Sequence, residues 1–347
     1  MMASMSGSDA RNEWTRPGLY EVAPGVHRIP LPLPNDGLAA VNAYAVVDGD
    51  HLALIDPGWG LTESRERLAE ALAGLGAGFG DVTQFLVTHQ HRDHYTQAVL
   101  LRREFGIPVS LGAQEKEALQ ILNEPTPAGF FPHVERIVAA GAGELLPGIR
   151  AGMAAHPHEP DLWEMPDAWL TDGQDLRLTD RHLQVIATPG HTRGHVVFRD
   201  EPANLLFAGD HVLPHITPSV GFEVAPAELA LRDYLKSLTL VRALPDTRLL
   251  PAHGPVTESA HARIDELLEH HDHRLELILD SVAKGAVTAY ESAGLITWTR
   301  RQRRLDELSG FNMMLAIMET ALHLDLLVVQ GRLRVQRVDG VDHYTTA

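Results

Sequence analysis

Three histidines and an aspartate fall within six positions, at His89, His91, Asp93 and His94, directly behind the apolar run Phe85-Leu86-Val87. Imidazole nitrogens and carboxylate oxygens are ligands for borderline divalent ions such as zinc. In an extended segment alternate side chains share a side, so His89 and His91 can face one ion. A turn into a helix would then let Asp93 and His94 face a second ion nearby. The competing reading is a histidine-rich polar turn, because the chain has 20 histidines. Four ligand-type residues this dense after a buried strand favour the metal reading.

Three later segments add to it. "ATPGHTRGH" places His191 after a strand and a Pro-Gly turn, "LLFAGDH" ends an apolar strand with Asp210, and "LLPAHGP" ends another with His253. Each ligand-type residue sits at the tip of a hydrophobic strand, where a rigid element can hold it. With the first cluster they supply two three-ligand sets and one carboxylate to bridge them.

The positioning elements follow from the hydropathy pattern. From Val26 to Gly58, short apolar runs broken by Gly, Asp and Pro indicate strands, with a hairpin turn at Asp48 to Asp50. Leu68, Leu72 and Leu75 at helical spacing predict a helix over 62–75. A buried strand at 84–88, a helix over 94–105, a strand near 107–112 and a helix over 113–122 follow. Residues 123–168 read as loops with one helix near 133–139. Strands return at 183–190, 195–200, 204–210 and 248–254, with a helix over 228–244. Two strand-rich halves with helices imply a layered body.

From Ser259 the texture changes to a long helix carrying Ile264, Leu267, Leu268, Leu275 and Ile278. Two further helical segments and a terminal strand pair follow, the order of a winged-helix-like appendage. The expected organisation is a flexible leader over 1–17, a catalytic domain over 18–258 and a C-terminal domain over 259–347.

Composition narrows the function. Net charge is -17, so a broad basic surface for nucleic acid is absent and a small-molecule substrate is favoured. The chain has no cysteine, which excludes disulfides, thiolate metal sites and a cysteine nucleophile. The first residues lack a secretory pattern, and no uninterrupted apolar run reaches the roughly 20 residues of a membrane span. These features predict a cytoplasmic protein with no membrane partner, with a homo-oligomer left open.

The motifs His89-x-His91-x-Asp93-His94, His191, Asp210 and His253, in this order, resemble the metallo-β-lactamase superfamily, and "LIDPG" with Asp56 matches its early strand-end motif. The resemblance implies an α+β fold, the four-layer αβ/βα sandwich, with two Zn2+ ions at one edge, iron or manganese being alternatives. It implies that His89, His91 and His191 bind the first ion, Asp93, His94 and His253 the second, and that Asp210 bridges them. Asp56 would orient a ligand, and His195 would serve in structural hydrogen bonding. A water between the ions would be acidified into a nucleophile, with Asp93 as its proton acceptor.

The family usually continues its first motif with a small residue and two glycines, whereas Tyr95, Thr96 and Gln97 stand here, so Tyr95 is expected to narrow the cleft. Trp163, His215 and Phe222 are further pocket candidates. Without a cysteine the pattern leans to the glyoxalase-II-like branch, hence to a hydrolase of a small thioester, ester or lactone. The alternative is a metal-dependent single-strand endoribonuclease guided by Arg300 to Arg304. Residues 299–308 and the histidines of "EHHDHRLEL" otherwise read as solvated helix faces, and Met313, Met314 and Met318 as core fillers.

Overall fold

The computed structural model describes residues 10–34, 37–125, 133–153 and 159–347. Two mixed sheets carry the fold. The first runs in chain order: β1 (Tyr20–Ala23), β2 (Val26–Pro32), β3 (Ala40–Asp48), β4 (His51–Ile55), β5 (Gln84–Val87), β6 (Val109–Gly112) and β7 (Ala168–Leu170). Its early pairs are antiparallel, and β4 through β7 are parallel neighbours. The second contains β8 (Asp175–Arg177), β9 (His182–Ala187), β10 (Val196–Asp200), β11 (Leu205–Gly209) and β12 (Arg248–Pro251), ordered β12-β11-β10-β9-β8 with β11 and β12 parallel.

Side-chain alternation sorts the strands into layers. Tyr44, Val46, Ala53, Ile55 and Leu86 point from the first sheet toward Val185, Phe198, Phe207 and Leu250 of the second. Tyr44 and Phe207 meet edge to face, with centroids 5.4 Å apart. The opposite parity, including Val41, Ala43, Leu54, Phe85 and Val87, packs on the helices α1 (Thr62–Gly74) and α2 (Arg92–Phe105). Ile186, Val197, Leu206 and Leu249 likewise face α6 (Ala230–Arg242) and α7 (Ala260–Ala283). Helix, sheet, sheet, helix is the expected four-layer sandwich.

Short helices α3 (Lys116–Asn123), α4 (Val134–Ala139) and α5 (Leu146–Met153) lie between β6 and β7. Of these α5 falls where the sequence reads as loop. Its Pro147 is at the second helical position, where a missing N–H costs nothing, so a residue that suggests a break belongs to a helix start. In the expected leader, residues 1–9 lie outside the described residues, but Ala10–Thr15 winds into a 3-10 helix. The buried Arg28 guanidinium donates to the Trp14 carbonyl at 2.5 Å and draws this stretch onto the sheet, so the leader reading fails there.

The C-terminal stretch contains α7, α8 (Ala289–Leu295), α9 (Gly310–Val329) and the hairpin β13 (Leu333–Val338) and β14 (Val341–Thr346). The element order matches the expectation. Its core, however, is not separate: Ile264, Ile317, Leu327 and Tyr344 belong to one buried cluster with Val197 and Leu206 of the second sheet. α9 is long and apolar enough to cross a membrane by length and composition, but Met314, Ile317, Leu324 and Leu327 are buried in that cluster, as befits a core helix. Met318 is buried with them, in line with the core-filler reading.

Two surface readings need correction. His271, in the stretch read as a solvated face, is fully buried, and its ring stacks on His323 of α9 at 5.3 Å. Its partner is 52 residues away, beyond the reach of local periodicity. Residues 299–304 are exposed but not helical, because Thr299 and Gln302 adopt φ of 64° and 53° and Trp298 pairs with Arg303 across a turn.

Candidate metal centre

The site lies where β5, β9, β11 and β12 end. His89 follows β5, and His91 is the N-cap of α2, with φ -60° and ψ 149°. The His91 side chain makes no capping bond; its Nδ1 turns inward and lies 3.0 Å from His89 Nε2. His191, in the turn after β9, brings Nε2 to 3.2 Å from His89 Nε2 and 3.0 Å from His91 Nδ1. Zinc bound to three imidazoles at about 2.0–2.1 Å separates their nitrogens by roughly 3.3 Å, close to the spacing of this triangle, so the three residues could hold one ion.

A second group adjoins it. Asp93 and His94 occupy the first turn of α2, Asp210 follows β11 and His253 follows β12. His253 Nε2 lies 3.4 Å from Asp93 Oδ2 and 3.3 Å from Asp210 Oδ1, and His94 Nε2 lies 3.6 Å and 3.8 Å from the same oxygens. The other Asp210 oxygen, Oδ2, is 3.4 Å from His191 Nε2 in the first group. One carboxylate therefore faces both groups.

Hydrogen bonds on the outer side fix each ring's tautomer. Asp56 accepts from the Thr88 backbone N–H and Oγ1, both at 2.8 Å, and from His94 Nδ1 at 3.0 Å. With its proton given to Asp56, the Thr88 hydroxyl accepts from His89 Nδ1 at 3.0 Å. His253 Nδ1 donates to the Ala40 carbonyl at 2.7 Å, His191 Nδ1 to Ser219 at 2.6 Å, and His91 Nε2 to Phe222 at 3.0 Å. In each neutral ring the inward nitrogen is then the one that carries the lone pair. Asp56 itself has φ 50°, a left-handed conformation that a short polar residue tolerates, and which here aims one carboxylate at three donors.

Among the described residues His94 Nε2, His253 Nε2 and Asp210 Oδ1 are buried without a hydrogen-bond partner, an arrangement that is costly unless a cation fills the space. The electrostatics agree. Against burial, which alone would lower it, Asp93, Asp56 and Asp210 push His94 up to about 10. Burial and the neighbouring His94 and His91 hold His89 well below the usual imidazole range. Burial would raise the Asp93 carboxyl, but His94 and His253 beside it keep it far below the carboxylate range. Buried Asp56 and Asp210 and half-buried Asp93 thus favour positive charge among them, and the five histidines of the two groups converge where a cation could supply it.

The chain matches the metallo-beta-lactamase superfamily over residues 36–253. It belongs to that superfamily. A solved metallo-beta-lactamase family protein from Thermus thermophilus is 29% identical, covers 94% of this chain and 100% of its own, and superposes with a TM-score of 0.75. The lactamase-like protein nscB of Aspergillus fumigatus is 28% identical over 71% of this chain and 58% of its own length. The atrochrysone carboxyl ACP thioesterase of the same organism is 25% identical over 72% of this chain and 46% of its own. This chain therefore spans about half the length of these two fungal relatives.

The structure brings His89, His91, Asp93, His94, His191, Asp210 and His253 together, with Asp56 behind them. His195 points into neither group. Its Nε2 accepts the Asp210 backbone N–H at 3.1 Å, its Nδ1 meets Thr188 at 2.8 Å, and its ring stacks on His89. His211 is buried against Tyr234, whose hydroxyl donates to the His211 carbonyl at 3.0 Å.

The pocket candidates divide. Phe222 lies at the site through its carbonyl, and its ring stacks on His133 and meets Phe311 of α9 edge to face at 5.5 Å. His215 is exposed beside Gly254, one residue past His253. Tyr95 is fully buried between α2 and the first sheet, and its hydroxyl donates to the Glu164 carbonyl at 2.6 Å, so it narrows no cleft. Trp163 packs on the same helix-side core, where Arg102 and Arg103 hold Glu164. Tyr95→Phe is expected to leave turnover unchanged and to lower unfolding free energy by about 1 kcal/mol in urea denaturation. Sequence reading missed Thr88, although it directly precedes His89, and the supporting carbonyls of Ala40 and Ser219, which carry no side-chain signal.

Proposed function

We propose that this superfamily member holds two divalent ions, zinc by preference, and hydrolyses a small-molecule thioester, ester or lactone. The observation that carries the reading is Asp210, whose two oxygens face separate groups of histidines at 3.3–3.4 Å. When bound, two such ions would acidify a water and polarise the scissile carbonyl. Asp93 Oδ2, on the inner side of the second group, is placed to take up the proton released in the reaction. Phe222, whose carbonyl meets His91, and the exposed Phe311 against its ring are the apolar side chains offered for an acyl group. The thioesterase relative supports the thioester as first choice. In the same reading the protein works in the cytoplasm, and residues 259–347 are a winged-helix-like module of the glyoxalase-II-like branch.

A panel of acyl thioesters, lactones, a β-lactam and single-stranded RNA, offered to zinc-loaded and to chelated protein, tests this. Turnover of a thioester or lactone that chelation abolishes and zinc restores is expected. Cleavage of RNA alone would transfer the activity to the endoribonuclease class.

A further inference from the structure

Two buried carboxyl groups stand behind the three-histidine pocket and have no part in the chemistry above. Glu115, in the 3-10 turn between β6 and α3, is fully buried. Its Oε1 accepts from Thr192 Oγ1 at 2.5 Å, and the carboxyl also accepts the Gln90 backbone N–H. Gln90 lies between His89 and His91, and Thr192 follows His191. One side chain therefore joins the two turns that supply all three histidines.

Glu223, 4% exposed, accepts the Arg193 backbone N–H at 2.7 Å, two residues past His191. It extends the strap that gives the Phe222 carbonyl to His91 and the Ser219 carbonyl to His191. The close approach is built into the backbone: a Cβ on Gly194 would meet the Glu115 nitrogen at 2.3 Å, and one on Gly112 would meet the Gly194 carbonyl oxygen at 1.9 Å. The second oxygen of each glutamate is buried without a partner among the described residues. Burial raises both carboxyls, and Glu115 raises Glu223 further. Two such groups side by side weaken a core, so they need a reason beyond packing. The second pocket does not rely on them, since Asp56 and the Ala40 carbonyl orient His94 and His253.

We propose that Glu115 and Glu223 are positioning residues for the three-histidine pocket: Glu115 ties the 89–91 turn to Thr192, and Glu223 anchors the backbone at Arg193. The inference rests on the two-ion reading and concerns one pocket of the two.

The test is cobalt(II) binding to chelator-treated full-length protein, followed by calorimetry and visible absorption. His253→Ala cripples the second pocket and leaves the three histidines; His191→Ala does the reverse. In the His253→Ala background, Glu115→Ala and Glu223→Ala are each expected to weaken cobalt binding by about 10- to 100-fold, the usual effect of losing an outer hydrogen bond to a ligand loop. In the His191→Ala background the same changes should shift affinity by less than about threefold. Glu115→Gln, which keeps a carbonyl acceptor, should recover most of the loss. Thr192→Val removes the contact without touching either glutamate, and decides the matter if Glu115→Ala fails to fold by circular dichroism. Equal losses in both backgrounds, or none in the His253→Ala background, overturn the proposal while the two-ion reading stands. Absence of cobalt binding in both backgrounds overturns both.

Discussion

Asp210→Ala is expected to leave at most one tightly held metal ion per chain and to lower hydrolysis by about a thousandfold or more. The carboxylate is the element common to both groups, 3.4 Å from His191 on one side and 3.3 Å from His253 on the other. Its removal takes an anionic ligand from each pocket at once, whereas loss of one histidine disables one. The turn itself should survive, because His195 holds it through the Asp210 backbone N–H rather than through the side chain. Metal content by plasma emission after gel filtration, together with turnover, measures the effect. Two retained ions with a near-normal rate would remove Asp210 from the centre.

The second large effect belongs to Asp93→Asn. Asparagine keeps the shape but neither the charge nor the basicity of Oδ2, which approaches His253 at 3.4 Å and His94 at 3.6 Å. Loss of a positioned proton acceptor costs about 10²- to 10⁴-fold in rate, and kcat rather than KM should carry the loss. The fold should change little, because Asp93 sits on the first turn of α2 and is 17% exposed at the side chain. Its helix-end charge is worth only about 0.3–1 kcal/mol. His91→Ala should likewise abolish turnover with the fold kept. Near-normal turnover of either variant would sink the site.

The residues that gather at the candidate centre were legible in the sequence for a physical reason. His89, His91, Asp93 and His94 are neighbours along the chain, and the other three each end an apolar strand, so local pattern is enough to collect them. Side chains whose role depends on distant packing were not. Tyr95 follows His94 by one position, yet on a helix that step is a third of a turn and carries the ring into the core. His271 reads as polar surface until α9 brings His323 against it. Glu115 and Glu223 reach their turns across long separations, and nothing near them in sequence resembles a ligand motif. The winged-helix-like order of the last elements is visible in their periodicity, but the core they share with the second sheet is a fact of tertiary packing alone.

That shared core sets an order of assembly during synthesis. The helix-side core of the first sheet draws, apart from Ala252, on residues between Leu19 and Trp169, so that half can close as soon as it leaves the ribosome. The outer face of the second sheet must wait for residues as late as Tyr344. Four residues of the candidate centre, His89, His91, Asp93 and His94, ride on the early half, and His191, Asp210 and His253 on the late one. The candidate centre is therefore the seam between an early half and a late one, and its late side is fully backed only once the residues as far as Tyr344 have been made.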